Sequence, residues 1–249
     1  MKKSFIFLSF FLLHFIFAQD ALKVEYDYVV KPNGVNNSRR TEAFQKTFEE
    51  QAKIPEKQVL YYYKGDMFYR NFEKPEIIIN GERSKEGNTT TRNKERMTFP
   101  IFRFYKNKDD ENVHELKTYP KVEQFYRYHK PIWVKIDYKN ETTKIDKFEC
   151  KLVELTQKNG KIIKVWYTDM LPINAGPLGF YNFPGLVLKV ETDAYVCYAT
   201  SINNNATQKD IEKPNAKLQV YSGEEYDKKV AEIREFLLKP SETRREIKL

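Results

Sequence analysis

The sequence has few of the residues that most often carry out bond chemistry. Its 249 residues include two cysteines and three histidines. It contains no Gly-x-Ser-x-Gly elbow, no His-Glu-x-x-His helix and no glycine-rich phosphate loop. His114 and His129 stand in no recognisable nucleophile motif. The sequence therefore lacks the familiar hydrolase, metalloprotease and nucleotide-binding signatures, and no cofactor is expected.

Long apolar runs are absent as well, except at the N-terminus. Residues 5–18 are apolar at all but two positions, and they follow Lys2 and Lys3. A basic start, an apolar stretch and a small residue at its end are typical of a signal peptide, and a membrane-spanning helix needs roughly 20 apolar residues. We therefore predict a signal peptide over residues 1–19 and a single β-rich domain over residues 20–249, exported to the periplasm or the cell surface. A retained membrane anchor is the alternative.

The net charge of +8 does not indicate a nucleic-acid partner. A basic balance can attract nucleic acid, anionic lipid or acidic glycan. However, the lysines and arginines are spread along the chain among Asp and Glu, and the densest basic cluster, Arg244-Arg245, lies beside Glu242 and Glu246. This pattern is typical of a solvated surface, so we expect no nucleic-acid binding.

The two cysteines, Cys150 and Cys197, leave two structures open. In an oxidising compartment an even pair of cysteines can form a disulfide. Both also alternate with apolar neighbours, which suits free thiols that pack as small hydrophobic groups. Sequence cannot decide between a Cys150–Cys197 disulfide and two buried thiols, because it does not show whether the side chains meet.

Alternating apolar and polar residues, together with aromatic and β-branched runs, predict many short strands. The predicted strands are residues 24–30, 59–63, 67–72, 77–79, 99–105, 113–119, 122–128, 132–138, 144–155, 162–167, 186–191, 195–201 and 218–221. Lys64-Gly65-Asp66 and Asn159-Gly160 predict hairpins, and Asn80-Gly81 predicts a type I′ turn. Residues 81–95 are polar and are predicted to be a loop or weak edge strands.

Helices are predicted near the two ends of the mature chain. Phe44, Phe48 and Ala52 recur at four-residue spacing within residues 41–53, and a capping box at 222–225 precedes a second amphipathic segment. Strands that follow strands, with helices at the ends, indicate a mainly β fold with few helices. We predict a curved antiparallel sheet or half-barrel with the C-terminal helix packed on it; a closed barrel and a sandwich are the alternatives.

The stretch from Trp133 to Glu191 carries an ordered series of short motifs. They are Trp166-Tyr167-Thr168, Leu171-Pro172, Gly176-Pro177 and Phe183-Pro184-Gly185-Leu186-Val187. This series resembles the GLPGLI family, exported bacterial proteins named for a hexapeptide near this point. Within the hexapeptide itself, Pro184, Gly185 and Leu186 are identical. The resemblance implies an exported location and a fold, and it implies no mechanism.

The chemistry of the motif favours a structural role. Proline at the second position of a turn and glycine at the third predict a type II turn at Phe183-Pro184-Gly185-Leu186. Pro, Gly and Leu side chains carry no acid, base or nucleophile. The alternative is a rigid loop that presents Phe180, Tyr181 and Phe183 to a partner.

Three classes of function remain. We favour a non-catalytic exported protein that binds an apolar or peptide ligand or a partner such as an outer-membrane protein. The first alternative is a hydrolase that uses carboxylates around the Asp169 loop, with Asp137, Glu149 and Glu191 as further candidates. The second is a metal-handling protein, which rests on the cysteines and histidines alone. An aromatic pocket without converging carboxylates would favour binding, and two carboxylates together in a cleft would favour an enzyme.

Overall fold

The structure is a computed structural model, and it describes residues 20–32, 40–85 and 89–238. The predicted signal peptide lies outside these residues. The strands are β1 Ala21–Val30, β2 Glu56–Tyr63, β3 Asp66–Asn71, β4 Ile77–Lys85, β5 Thr89–Met97, β6 Arg103–Lys106, β7 Val113–Tyr119, β8 Glu123–His129, β9 Lys135–Ile145, β10 Phe148–Thr156, β11 Ile162–Thr168, β12 Leu186–Glu191, β13 Tyr195–Asn203 and β14 Val220–Tyr221. The helices are α1 Glu42–Ala52 and α2 Gly223–Leu238.

Twelve of the described strands form one open sheet. Its order is β14-β8-β7-β6-β3-β2-β1-β13-β12-β11-β10-β9, and β4 pairs with β5 in a separate hairpin. The ladders are antiparallel except that β14 runs parallel to β8. The prediction of a mainly β, antiparallel fold with a C-terminal helix is therefore confirmed.

The first predicted strand becomes a central strand of the sheet. β1 lies between β2 and β13, and the alternating side chains of Leu22, Val24 and Tyr26 are fully buried. The phenol of Tyr26 donates a hydrogen bond of 2.8 Å to the backbone carbonyl of Val187. The alternation within the predicted strand 24–30 is therefore seen in the burial of Val24 and Tyr26, and β1 extends it back to Leu22.

The sheet is curved. The 3-10 turn Pro177–Gly179 contacts β3, β6 and β12 at once, although β6 and β12 have β3, β2, β1 and β13 between them. Five strand spacings in a flat sheet would separate β6 from β12 by roughly 24 Å. Only a sheet that bends around the loop can bring both strands to one short turn. The main hydrophobic core lies inside this bend.

A second, smaller core covers the end of the sheet near β9. Strand β12 contributes Leu186 and Leu188 to the main core and Val187 and Val190 to the smaller one. All four side chains are fully buried. This part of the sheet is therefore buried on both faces, which explains its continuous run of aliphatic residues.

One predicted strand and the turn predicted at Asn80-Gly81 are wrong. The Asn80-Gly81 pair does not form a type I′ turn, because β4 continues through it and Gly81 pairs with Asn93 of β5. Glycine is needed there for another reason: a Cβ would lie 2.4 Å from the hydroxyl of Thr41, which caps the N-terminus of α1. The predicted strand 144–155 is in fact a hairpin that turns at Asp146, whose φ is 53°, a backbone conformation that Asp tolerates.

The C-terminal helix packs beside the opposite end of the sheet. The Tyr226 ring lies 6.3 Å from the Phe125 ring and 4.5 Å from the Arg127 guanidinium of β8. Lys229 forms an ion pair of 2.7 Å with Glu123, and Ile233 is buried. Neither helix within residues 20–32, 40–85 and 89–238 has the length and apolar character needed to span a bilayer.

Candidate ligand pocket

The motif residues of the Trp133–Glu191 stretch lie in and around the two cores. Tyr167 and Phe183 are buried and their rings stack at 6.1 Å. The hydroxyl of Thr168, which is fully buried, accepts a hydrogen bond from the Met170 backbone N–H. Trp166 is partly buried against the main core. These side chains are occupied by contacts within the protein.

The two motif glycines sit where the backbone leaves no space for a side chain. A Cβ on Gly185 would lie 2.0 Å from the carbonyl oxygen of Thr168, and a Cβ on Gly176 would lie 2.1 Å from that of Phe180. Pro177 is buried, while Pro172 and Pro184 are exposed at the surface of the loop. The motif glycines therefore allow the loop to pack closely against β11 and β12.

The predicted type II turn at Phe183-Pro184-Gly185-Leu186 is wrong. The N–H of Gly185 donates to the carbonyl of Phe183 at 2.7 Å, which closes a three-residue turn around Pro184. The N–H of Leu186 donates instead to the carbonyl of Leu171 at 2.9 Å. Hydrogen bonding across the loop thus replaces the local four-residue turn.

The carboxylates singled out in the sequence do not form a cleft. Asp137 pairs with Lys135 and Lys139, and Asp169 pairs with Lys151. Glu149 is exposed on β10. Glu191 accepts hydrogen bonds from Lys31 and Lys189, which lower its pKa from 4.5 to about 2. These carboxylates belong to surface ion pairs or to open surface.

Among the described residues, the histidines and cysteines do not form a cluster with other metal-binding side chains either. His114 packs among the rings of Tyr105, Tyr126 and Tyr128, and burial lowers its pKa. His129 lies 3.1 Å from Glu115. Within the described residues, no group of three or more His, Cys, Asp or Glu side chains is arranged to hold a metal ion.

Cys150 and Cys197 are free and buried. Of the two alternatives left open by the sequence, the structure therefore has two buried thiols. They lie on β10 and β13, and β11 and β12 run between those strands. Three strand spacings amount to roughly 14 Å, well beyond the roughly 7 Å that a disulfide can bridge between Cα atoms. Burial raises the pKa of Cys150 to about 11, which keeps its thiol protonated.

An apolar pocket opens where α1, the start of β2 and the end of β5 meet. We call it the Glu56 pocket. It has a volume of about 110 Å³, and its lining includes Tyr28, Phe48, Ile54, Glu56, Lys74 and Phe99. Among the residues that line it, Glu56 is the one carboxylate and Lys74 the one cation. The Glu56 pocket therefore has the aromatic lining with sparse polar groups that is common in ligand sites.

Glu56 is held in place by a buried asparagine. The Asn71 amide donates hydrogen bonds to a carboxylate oxygen of Glu56 at 3.2 Å and to the Pro100 carbonyl at 2.8 Å. The Asn71 carbonyl accepts from the Phe102 N–H at 2.9 Å. One side chain thus fixes both the carboxylate and the segment that forms the far wall of the pocket.

Burial raises the pKa of Glu56, and the Asn71 hydrogen bond and the nearby Lys74 ammonium oppose that rise only in part. Lys74 also lies 5.2 Å from the centre of the Phe99 ring. A carboxyl group in such surroundings can accept a hydrogen bond from a bound molecule when it is ionised, or donate one when it is protonated. It stands alone, because the pocket brings no second carboxylate to it.

The sequence reasoning missed Glu56. The alternating pattern of β2, followed from Leu60 towards the N-terminus, could have located it. Leu60, Gln58 and Glu56 share one face of the strand, and all three are buried. Two polar residues in register with a buried leucine indicate polar groups that point inward. The predicted strand begins at residue 59 and therefore does not include Glu56.

A family model described as "N-glycanase peptide, N-terminal domain" matches residues 66–226. The chain belongs to this family. The matched span contains Lys74 and Phe99 of the Glu56 pocket, whereas Tyr28, Phe48 and Glu56 precede it. The span also contains the motif stretch, and the resemblance of that stretch to the GLPGLI family stays a prediction.

Solved structures of PNGF-II in space groups C2 and P21 have a similar fold. Their TM-scores are 0.52 and 0.51, at 17% and 15% sequence identity. They cover 84% and 85% of this chain but 32% and 33% of the PNGF-II chains. The chain thus spans about a third of the length of PNGF-II. No curated protein sequence matches it.

Proposed function

We propose that this chain is a non-catalytic binding domain that holds the peptide part of N-glycosylated polypeptides, with one apolar side chain of the peptide in the Glu56 pocket. The observation that carries the proposal is the pocket itself, in which aromatic and aliphatic walls surround a single fixed carboxyl group. Apolar walls supply affinity, and a few polar groups supply orientation.

The size of the pocket supports a side chain as its occupant. Its volume of about 110 Å³ is close to the roughly 150 Å³ of a protein cavity that accepts benzene. It is smaller than the roughly 300–1,000 Å³ of sites that enclose drug-sized molecules. A leucine, methionine or phenylalanine side chain fits this space, and an oligosaccharide does not.

The family supports the proposal that the bound polypeptide is N-glycosylated. The matched model describes the N-terminal domain of an N-glycanase, and this chain is similar to about a third of PNGF-II. A domain that binds the peptide would leave the glycan free for a separate catalytic unit. Export by the predicted N-terminal signal peptide would place the domain where it meets polypeptides outside the cytoplasm.

Binding can be tested with a synthetic peptide that carries one N-linked glycan and the same peptide without the glycan. We expect both to bind in isothermal titration calorimetry, because the pocket contacts the peptide. Ile54→Ser should weaken both by roughly tenfold, since it removes apolar contact at the mouth of the pocket. Ile162→Ser is the matched control, because Ile162 is as exposed as Ile54 (53% and 54%) and lies outside the pocket.

The hydrolase alternative is distinguished by mass spectrometry of the same mixtures. Release of the glycan by the purified chain, and its loss in Glu56→Gln, would replace the binding proposal with an enzymatic one. Binding of the glycosylated peptide alone, unaffected by Ile54→Ser, would place the site elsewhere on the domain.

A further inference from the structure

Strand β9, together with Val134 just before it, carries an apolar stripe at one edge of the sheet. Val134, Ile136 and Tyr138 are 66%, 49% and 52% exposed. β9 pairs with β10 on one side, and the sheet order of the described residues ends there. Alternate N–H and C=O groups on its outer edge therefore face away from the sheet, which is the usual template for adding another strand.

The apolar stripe is continuous with the smaller hydrophobic core. Ile136 is opposite Leu155 and Tyr138 is opposite Val153 in the ladder with β10, and both β10 residues are fully buried members of that core. The Tyr138 ring also lies edge-on to Tyr167 at 6.3 Å. A strand added beside β9 would extend this core rather than create a new one.

The other face of β9 carries charges that alternate in sign. Lys135, Asp137, Lys139 and Glu141 occupy every second position. Asp137 pairs with both neighbouring lysines, at 3.2 Å to Lys135 and 2.6 Å to Lys139. Such a row is complementary to itself when two copies run in opposite directions. A parallel arrangement in register would instead place like charges opposite each other, which is unfavourable.

We propose that β9 pairs with β9 of a second copy of this chain, antiparallel and centred on Tyr138. In this register Lys135 is opposite Glu141 of the second copy, and Asp137 is opposite its Lys139. The two Tyr138 rings meet across the two-fold axis, beside Ile136 of each copy. The two sheets join into one continuous sheet, and the exposed apolar stripe of each copy is partly covered by that of the other.

In the proposed register, Tyr138 lies opposite Tyr138 of the second copy, which gives a direct test. The β9 ladder with β10 is regular from Lys135 to Tyr138, and its register shifts between Tyr138 and Thr142, so the proposed centre is the last residue before this irregularity. Tyr138→Cys should give a disulfide-linked dimer under mild oxidation, since directly opposite Cβ atoms lie about 5 Å apart. Asn140→Cys is the matched control, because its counterpart is Ile136. The native thiols are buried and will not compete.

Charge reversal tests the same register without new thiols. By sedimentation velocity, Lys135→Glu and Glu141→Lys should each weaken the dimer by roughly tenfold or more, because each puts like charges opposite one another twice. The double variant restores opposite charges and should dimerise like the wild type. Equal crosslinking at positions 138 and 140, a wild-type chain that stays monomeric at high concentration, or a double variant weaker than either single one would each overturn the proposal.

Discussion

The proline–glycine loop of residues 170–185 and the Glu56 pocket differ in what their side chains contact. In the loop, Tyr181 and Phe183 are buried against other protein atoms, and the phenol of Tyr181 donates to the carbonyl of Glu111 at 2.7 Å. In the pocket, aromatic side chains and a carboxyl group face an opening. The loop is the most distinctive feature of the sequence, and the pocket is the feature with room for a ligand. A recognisable motif can therefore be devoted entirely to holding the fold.

The most direct test of the structural role of the loop is a substitution at Gly185. We expect Gly185→Ala to reduce the free energy of unfolding by about 3 kcal/mol or more, because the added methyl group would meet the Thr168 carbonyl at 2.0 Å. Urea denaturation followed by circular dichroism measures this loss. Gly160→Ala is the control: its Cβ meets no atom within 4 Å, and only its φ of +80° makes it cost about 1 kcal/mol. Equal losses in the two variants would mean that the loop is not packed as described.

The overall fold could be predicted because each strand depends mainly on local alternation. β1, β7 and β11 appear close to their predicted bounds, and Lys64-Gly65 forms the expected tight turn with φ of 49° and 96°. The sequence pattern also predicted the helix that begins after Thr41, whose hydroxyl accepts a hydrogen bond from the Phe44 N–H. These features are decided by neighbours along the chain.

The errors arise where distant residues decide the outcome. Asn80-Gly81 is a strong turn signal, but the pair lies inside β4. The glycine is needed there because Thr41 approaches its Cα closely. The turn at Phe183–Leu186 depends on a hydrogen bond to Leu171. Glu56 becomes part of a site only because α1 and the end of β5 fold over it. No local pattern contains that information, so the pocket could not be located before the fold was known.

The carboxyl group of the pocket should also respond to pH in a characteristic direction. Burial raises the pKa of Glu56 in the folded state above its ordinary value of 4.5, so the folded protein holds this proton more tightly than the unfolded chain. Stability relative to Glu56→Gln is therefore expected to fall as the pH rises from about 4.5 through the raised pKa, and to be constant below that window. Thermal or urea midpoints of both proteins, measured from pH 4 to pH 8, test this. A difference that does not change with pH would mean that Glu56 is not desolvated.

Glu191 provides the opposite and smaller case, on the surface of β12. Lys31 and Lys189 lie 2.8 Å and 3.0 Å from its carboxylate and lower its pKa from 4.5 to about 2. The folded state therefore favours the ionised form, and the resulting stability is present above about pH 4.5 and is lost as the pH falls towards 2. Because a third of the side chain is exposed, solvent screening reduces the expected loss in Glu191→Gln to about 1 kcal/mol at neutral pH. The loss should shrink further in high salt. If Glu191→Gln instead gained stability with rising pH relative to the wild type, as expected for Glu56→Gln, the two carboxylates would not be distinguished by their surroundings.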